Sequence, residues 1–123
     1  MVSKIPYLSI VTVGWFVALL FGTLTPGDDL PDIGFNLNDK IIHLIIFLVL
    51  TTLFLAAAKR ENFLKINSGK IIVTVFLIVS IIAVLTEVLQ HFIPGRKMDV
   101  SDLIANETGV VTGIIAVRLL YKR

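Results

Sequence analysis

The chain has 123 residues, of which 56% are hydrophobic and 16% charged, and its mean hydropathy is +0.93. Soluble domains carry about 25% charged residues, so this composition argues against a water-soluble protein. The chain contains no cysteine, which excludes disulfide bonds and thiolate metal sites.

Four nearly uncharged segments, at about residues 5–24, 40–58, 71–93 and 102–121, account for most of the apolar residues. Roughly 20 helical residues cross the hydrocarbon core of a bilayer, and each segment has about that length. Because backbone groups in lipid must be satisfied within the segment, we expect helices rather than strands. The sequence therefore predicts an all-α fold, a bundle of four transmembrane helices in one domain, 1–123. No small-x-small cleavage site follows the first segment, so a retained helix is favoured over a cleaved signal peptide.

The connections between these segments differ in charge. Residues 25–39 are acidic and rich in Pro and Gly, whereas residues 59–70 are basic. With four crossings, the side that holds both termini and the 59–70 turn carries eight of the eleven Lys and Arg residues. Positively charged loops favour the cytoplasm, so the sequence predicts cytoplasmic N- and C-termini. The 25–39 loop and the turn before the fourth helix then face outward.

Polar residues near the outer ends of the last three helices are the candidate ligand-binding residues. They are Lys40, His43, Glu87, Gln90, Arg96, Asp99, Asp102 and Asn106. Glu87 lies about 9 Å below the predicted end of its helix, and Asn106 about 6 Å below Asp102. These depths predict a water-accessible polar pocket in the outer leaflet, bounded by the second, third and fourth helices. Glu87 and His91, at i and i+4, are expected to point the same way.

One side of the fourth helix combines polar and small residues. Asp102, Asn106, Gly109 and Gly113 step by four, three and four positions, so they share a face. The Gly109-x-x-x-Gly113 spacing predicts close approach of a neighbouring helix. Glu107 is next to Asn106 and is expected to point to a different side; it is interpreted, like His91 and Lys97, as a surface or interface group.

Each candidate residue also has a purely structural interpretation. Gln90 and Asn106 can hold helices together by hydrogen bonds, and Lys40 can extend to the interface. Asp99 can simply cap the fourth helix, with Ser101 and Asp102 as competing caps. Glu87 favours a functional role, because carboxyl groups inside membrane helices mark sites more often than they serve as glue.

Two motifs resemble the VanZ-like family of small bacterial integral membrane proteins, over roughly residues 23–115. The first is Asp39-Lys40-x-x-His43, and the second is Glu87-x-x-Gln90-x-Phe92-x-Pro94-x-Arg96-x-x-Asp99-x-x-Asp102-x-x-x-Asn106-x-x-Gly109. Family members often have tyrosine four residues after the histidine, where this chain has Phe47, which puts any role of a phenolic hydroxyl in doubt. The family is named for a protein linked to resistance against the glycopeptide teicoplanin. The resemblance therefore implies a cell-envelope role in the bacterial cytoplasmic membrane.

Three functions are consistent with these residues. The first is binding of an anionic or sugar-bearing lipid headgroup, or a cell-wall precursor, with Arg96 and Lys40 on phosphate. The second is a membrane enzyme acting on a lipid-linked phosphate or sugar substrate, with catalytic candidates Glu87, Asp99, Asp102 and His43; Glu87 is then a general base, or the three acids hold Mg²⁺ with substrate phosphates. The third is a structural or partner-binding membrane protein. Outside the Mg²⁺ alternative, no cofactor, metal or nucleic acid is expected, although membrane lipids are partners in every case.

Overall fold

Four helices make up the protein in a computed structural model that describes residues 5–24, 36–61, 68–95 and 99–120. They are α1 (Tyr7–Leu24), α2 (Asn36–Glu61), α3 (Ser68–Gln90) and α4 (Val100–Leu120). All four are long and apolar enough to cross a membrane, and the described ranges contain no strand. The predicted all-α bundle of four membrane-length helices is confirmed.

The helix boundaries differ from the predicted ones where the apolar pattern and the hydrogen bonding diverge. Helix α2 begins four residues before the predicted start. The prediction followed the apolar residues, and the first turn of α2 lies outside the apolar span. Helix α3 ends at Gln90 rather than at residue 93. The next three N–H groups, of His91, Phe92 and Ile93, donate to carbonyls three residues earlier, at 3.2, 3.0 and 3.1 Å. Pro94 disfavours α-helical backbone at the preceding residue, so the helix tightens into a turn.

Helix α2 is the centre of the bundle. It contacts each of the other helices and shares its most extensive interface with α4. Phe47 and Leu50 of α2 pack with Val75, Val79 and Val110 in the hydrophobic core. Apolar side chains more than half exposed cover the outer surface, as expected for lipid contact; examples are Ile10, Phe21, Val73, Ile81, Ile104 and Leu119.

The close contact of α2 and α4 depends on two glycines. A Cβ added at Gly109 would lie 2.3 Å from the carbonyl oxygen of Leu44 and 3.0 Å from the nitrogen of Leu48. A Cβ at Gly113 would lie 3.0 Å from the Leu48 carbonyl oxygen and from Thr51 Cβ. The predicted close approach of a neighbouring helix at Gly109-x-x-x-Gly113 is confirmed, and the neighbour is α2.

At the end of the bundle where α1 begins and α2 ends, Glu61 of α2 caps the first turn of α1. Its carboxylate oxygens accept hydrogen bonds from the backbone N–H groups of Leu8 and Ser9, at 2.7 and 2.9 Å. The Ser9 hydroxyl also donates to it, at 2.5 Å. Unpaired N–H groups at a helix N-terminus favour a negative charge, so this contact ties α1 to α2. Sequence reasoning did not single out this contact, because the cap comes from a residue 53 positions away.

Candidate functional site

The polar residues of separate helices meet at one end of the bundle, where α1 and α3 end and α2 and α4 begin. We define the polar cluster as His43, Glu87, Asp102 and Asn106, all of which are buried. Lys40 and Asp99 form its rim, with side chains 26% and 46% exposed. Of the other predicted site residues, Gln90 is buried next to Thr23, and Arg96 lies outside the described residues.

The rim is held by an ion pair between α2 and the start of α4. The ammonium of Lys40 lies 2.9 Å from Asp99 Oδ2 and donates a second, short hydrogen bond to Asp102 Oδ1. The two aspartates are three positions apart, which places both beside the same lysine. Lys40 therefore acts as a counter-ion to two carboxylates, and it does more than extend to the interface.

Asp99 is the residue that caps α4. Its Oδ1 accepts hydrogen bonds from the N–H and hydroxyl of Ser101, at 2.9 and 2.6 Å. These bonds, with the ammonium of Lys40, lower the pKa of Asp99 from 3.8 to about 2. Of the three residues that competed for the cap, Asp99 takes it, and it binds Lys40 through its other oxygen.

We expect the carboxyl group of Asp99 to titrate near pH 2. Because the pKa is lowered in the folded state, the carboxylate adds stability above its unfolded value of 3.8 and loses it as the pH falls through about 2. The ¹³C shift of the Asp99 carboxyl carbon measures this midpoint directly. Ser101→Ala removes the hydroxyl bond and should move the midpoint up toward 3.8, whereas a wild-type midpoint already at 3.8 would contradict the cap geometry.

Inside the rim, His43 is the residue around which the polar cluster is arranged. Its Nδ1 lies 2.9 Å from Asn106 Oδ1 and 3.9 Å from Glu87 Oε1. Its Nε2 lies 3.8 Å from Asp102 Oδ2. One imidazole thus faces an amide and two carboxyl groups contributed by α3 and α4.

Two polar atoms of the cluster have no hydrogen-bond partner within the described part of the chain: Glu87 Oε1 and Asn106 Nδ2. Their residues are only 1% and 0% exposed. The other Glu87 oxygen accepts a long bond, 3.4 Å, from the N–H of Asp99. A buried polar atom without a partner costs about 1–3 kcal/mol, so this acceptor and donor make the polar cluster the candidate binding site.

Gln90 and His91 lie at the end of α3, where the structure adds a contact with α1. The side-chain amide of Gln90 donates to the carbonyl of Thr23 at 3.1 Å, which supports its structural interpretation. The expected boundary of three helices therefore lacked α1, since a backbone carbonyl partner leaves no sequence signal. His91 follows the end of α3 and is exposed, as expected of a surface or interface group, whereas Glu87 is buried.

Glu107 also departs from the sequence expectation. Its Oε2 accepts a hydrogen bond from the Ser80 hydroxyl at 2.9 Å, which links α4 to α3. Glu107 is therefore half-buried between helices rather than a surface residue. Ser80 is the only serine within the apolar part of the third segment, and such a hydroxyl was the signal that sequence reasoning overlooked.

The cluster has the chemistry of a polar or cationic binding site. One nitrogen or oxygen atom from each of His43, Glu87 and Asp102 lies within 4.8 Å of the others, close enough to surround a single ion. The unpaired amide N–H₂ of Asn106 adds a donor beside them. The same groups can take up and release protons, which is the property that an acid–base catalyst needs.

Comparison with known proteins gives one match. A protein-family model described as VanZ/LLP1 matches residues 8–121, while no curated protein and no solved structure matches significantly. The matched region includes nearly the whole of all four helices, together with the rim and the polar cluster. On this match and on its four membrane-length helices, the chain is a multi-pass membrane protein that belongs to the VanZ/LLP1 family.

Proposed function

We propose that this protein binds the hydroxyl-bearing headgroup of a cell-envelope lipid in the polar cluster, with the rim as its entrance. The observation that carries the proposal is the pair of unpartnered atoms, Glu87 Oε1 and Asn106 Nδ2, beside one imidazole. A hydroxyl group both donates and accepts hydrogen bonds, so one hydroxyl can satisfy both atoms. A hydroxyl that bonds to both atoms removes the free-energy cost of leaving them unpartnered, and this gain contributes to its binding affinity.

The position of the cluster along the helices suits a headgroup. Lys40 is the first residue of the second apolar span and Gln90 the last of the third, and Asp102 is near the start of the fourth. The cluster therefore lies near the end of three spans, where the hydrocarbon layer meets the polar headgroups. A lipid can reach this level with its acyl chains still among those of the bilayer.

Charge distribution supports an outward orientation of the cluster. The end of the helices opposite the cluster carries four basic residues, Lys59, Arg60, Lys70 and Arg118. At the cluster end, Lys40 is the one lysine or arginine within the described ranges. Basic residues collect on the cytoplasmic side of membrane proteins. We infer that the cluster opens to the outer leaflet, where envelope lipids and cell-wall precursors are used.

Binding is tested with purified protein in detergent and EDTA. The probes are monoglucosyl diacylglycerol, phosphatidylglycerol and phosphatidylcholine, whose headgroup has no hydroxyl, and the bound lipid is counted by native mass spectrometry. We expect the two hydroxyl-bearing lipids to be retained and phosphatidylcholine to be lost. Glu87→Gln should weaken retention about 10-fold or more, since a hydrogen bond to a charged group is worth about 1.5–3 kcal/mol. Asn106→Leu should weaken it by a smaller factor, because a bond from the neutral amide is worth about 0.5–1.5 kcal/mol.

Glu107→Gln is the matched control, because it alters a carboxyl group on α4 that bonds to Ser80 rather than to the cluster. It should bind lipid like the wild type. Equal retention by the wild type and both cluster variants would end the proposal. Appearance of a deglycosylated or dephosphorylated product in the same spectra would favour the membrane-enzyme alternative, for which the contact of His43 with two carboxyl groups is the supporting observation.

A further inference from the structure

The geometry points to a binding site for one divalent transition-metal ion, with His43, Glu87 and Asp102 as its protein ligands. From the sequence a structural metal was not favoured, because two acids and a histidine would have to come from three separate segments. The inference concerns the pocket of the proposed function but does not rest on lipid binding. It follows from the donor atoms, the charges and an unpartnered buried oxygen.

The donor atoms are close to the spacing that a metal requires. Metal–nitrogen and metal–oxygen bonds of about 2.0–2.2 Å place neighbouring tetrahedral ligands about 3.4 Å apart. In the cluster, Nε2 of His43, the ring nitrogen on the side away from Asn106, lies 3.8 Å from Asp102 Oδ2. Glu87 completes a set in which each residue offers one ligand atom within 4.8 Å of the others. A bound ion would therefore require side-chain rotations that bring these atoms closer together.

The charges of the described residues favour a cation. In the part of the chain that the structure describes, the three carboxyl groups of Glu87, Asp99 and Asp102 share this end of the bundle with one ammonium, that of Lys40. Lys40 binds Asp99 Oδ2 and Asp102 Oδ1, and neither contact reaches Glu87. Carboxylates at membrane depth are costly when their charge is not fully compensated, so a dication between Glu87 and Asp102 would lower the electrostatic penalty.

A buried oxygen of Glu87 without a hydrogen-bond partner among the described residues also points to a metal ligand. Its residue is 1% exposed, and its Oε1 has no hydrogen-bond partner in the described part of the protein. This oxygen lies 3.9 Å from Nδ1 of His43 and belongs to the group of ligand atoms that lie within 4.8 Å of one another. A buried acceptor without a partner is available to an ion bound between α2, α3 and α4.

Asn106 orients the histidine for this role. With Asn106 Oδ1 at 2.9 Å, the Nδ1–H of His43 donates to the amide oxygen. The lone pair of the ring is then on Nε2, the nitrogen on the Asp102 side. Metal-binding histidines usually donate their other ring N–H to such an oxygen, which holds the ring and its tautomer. Asn106 is thus a positioning residue for the metal.

The donor set selects the class of ion. Ca²⁺ and Mg²⁺ prefer sites made wholly of oxygen atoms, whereas an imidazole nitrogen with two carboxylates suits Mn²⁺, Fe²⁺ or Zn²⁺. The three residues leave coordination positions open, so a bound ion can also accept a ligand oxygen. The amide N–H₂ of Asn106 stays available to the same ligand, which makes metal binding compatible with the proposed headgroup site.

The test uses the full-length protein in detergent, stripped with EDTA, dialysed, and given no lipid. Binding of Mn²⁺ is followed by electron paramagnetic resonance and binding of Zn²⁺ by calorimetry. We expect one ion per chain, with a nitrogen coupling in the Mn²⁺ spin-echo spectrum. His43→Gln should abolish the nitrogen coupling, and it and Asp102→Asn should each weaken binding at least about 10-fold. Glu107→Gln should bind like the wild type.

Two variants separate loss of metal from loss of fold. Asp102→Asn also weakens a contact of Lys40, whereas His43→Gln leaves the ion pairs of the rim intact. Zn²⁺ should raise the melting temperature of the wild type and of Glu107→Gln but not that of folded His43→Gln. Absence of stoichiometric binding, or equal binding by all variants, would overturn the metal site. Because lipid retention is measured in EDTA and metal binding without lipid, either proposal can fail alone.

Discussion

Gly109→Ala is expected to force α2 and α4 apart and to lower the free energy of unfolding by about 1–3 kcal/mol. The new Cβ would lie 2.3 Å from the carbonyl oxygen of Leu44, which is backbone and cannot rotate away. Because α2 and α4 share the most extensive interface in the bundle, the shift should also separate His43 from Asn106. Reversible unfolding in mixed detergent–SDS micelles measures the change.

Gly14→Ala is the matched control for Gly109→Ala. A Cβ at Gly14, in the middle of α1, meets nothing within 4 Å. Alanine is the better helix former by about 0.8–1.0 kcal/mol in water, so this variant should be as stable as the wild type or more so. If both alanine variants unfold at the same SDS fraction as the wild type, the close packing of α4 on α2 is incorrect.

Lys40→Met is expected to destabilise the protein by about 1.5–3 kcal/mol, the range for hydrogen bonds to charged groups. The substitution keeps a long apolar side chain but removes the counter-ion of Asp99 and Asp102. The Asp102 side chain is only 10% exposed, so water cannot fully replace the ammonium. The larger part of the loss therefore comes from leaving Asp102 unpaired.

The double variant Lys40→Met/Asp102→Asn isolates that cause. With the second substitution the buried carboxylate is gone, and we expect part of the lost stability to return. Lys40→Arg, which keeps the charge, should stay closer to the wild type. SDS titration of the wild type, the two single variants and the double variant forms a double-mutant cycle, to which Lys40→Arg adds a fifth protein. Simple additivity of Lys40→Met and Asp102→Asn would show that the ion pair is screened by solvent.

Much of the site could be predicted because position along a transmembrane helix sets depth. Lys40, His43, Asp102 and Asn106 were expected at one end of the bundle from their distance to the ends of the apolar segments, and the structure brings them together there. The shared face of Asn106 and Gly109 followed from helical periodicity alone. Boundaries were less predictable, since the apolar run to Ile93 hides the turn that Pro94 imposes.

The sequence itself determined three features through segment length and periodicity. They are the number of membrane helices, the end of the bundle that holds the polar residues and the side of α4 that faces a neighbour. Only the tertiary structure decided which groups pair across helices. Lys40 with two aspartates, His43 with Asn106 and Gln90 with the carbonyl of Thr23 are pairings of this kind. The physical reason is that helical spacing defines relative angles within one helix, whereas packing defines how each helix is rotated about its axis. At this site packing turns Glu87 inward, beside the imidazole, and leaves its Oε1 without a hydrogen-bond partner in the described part of the chain.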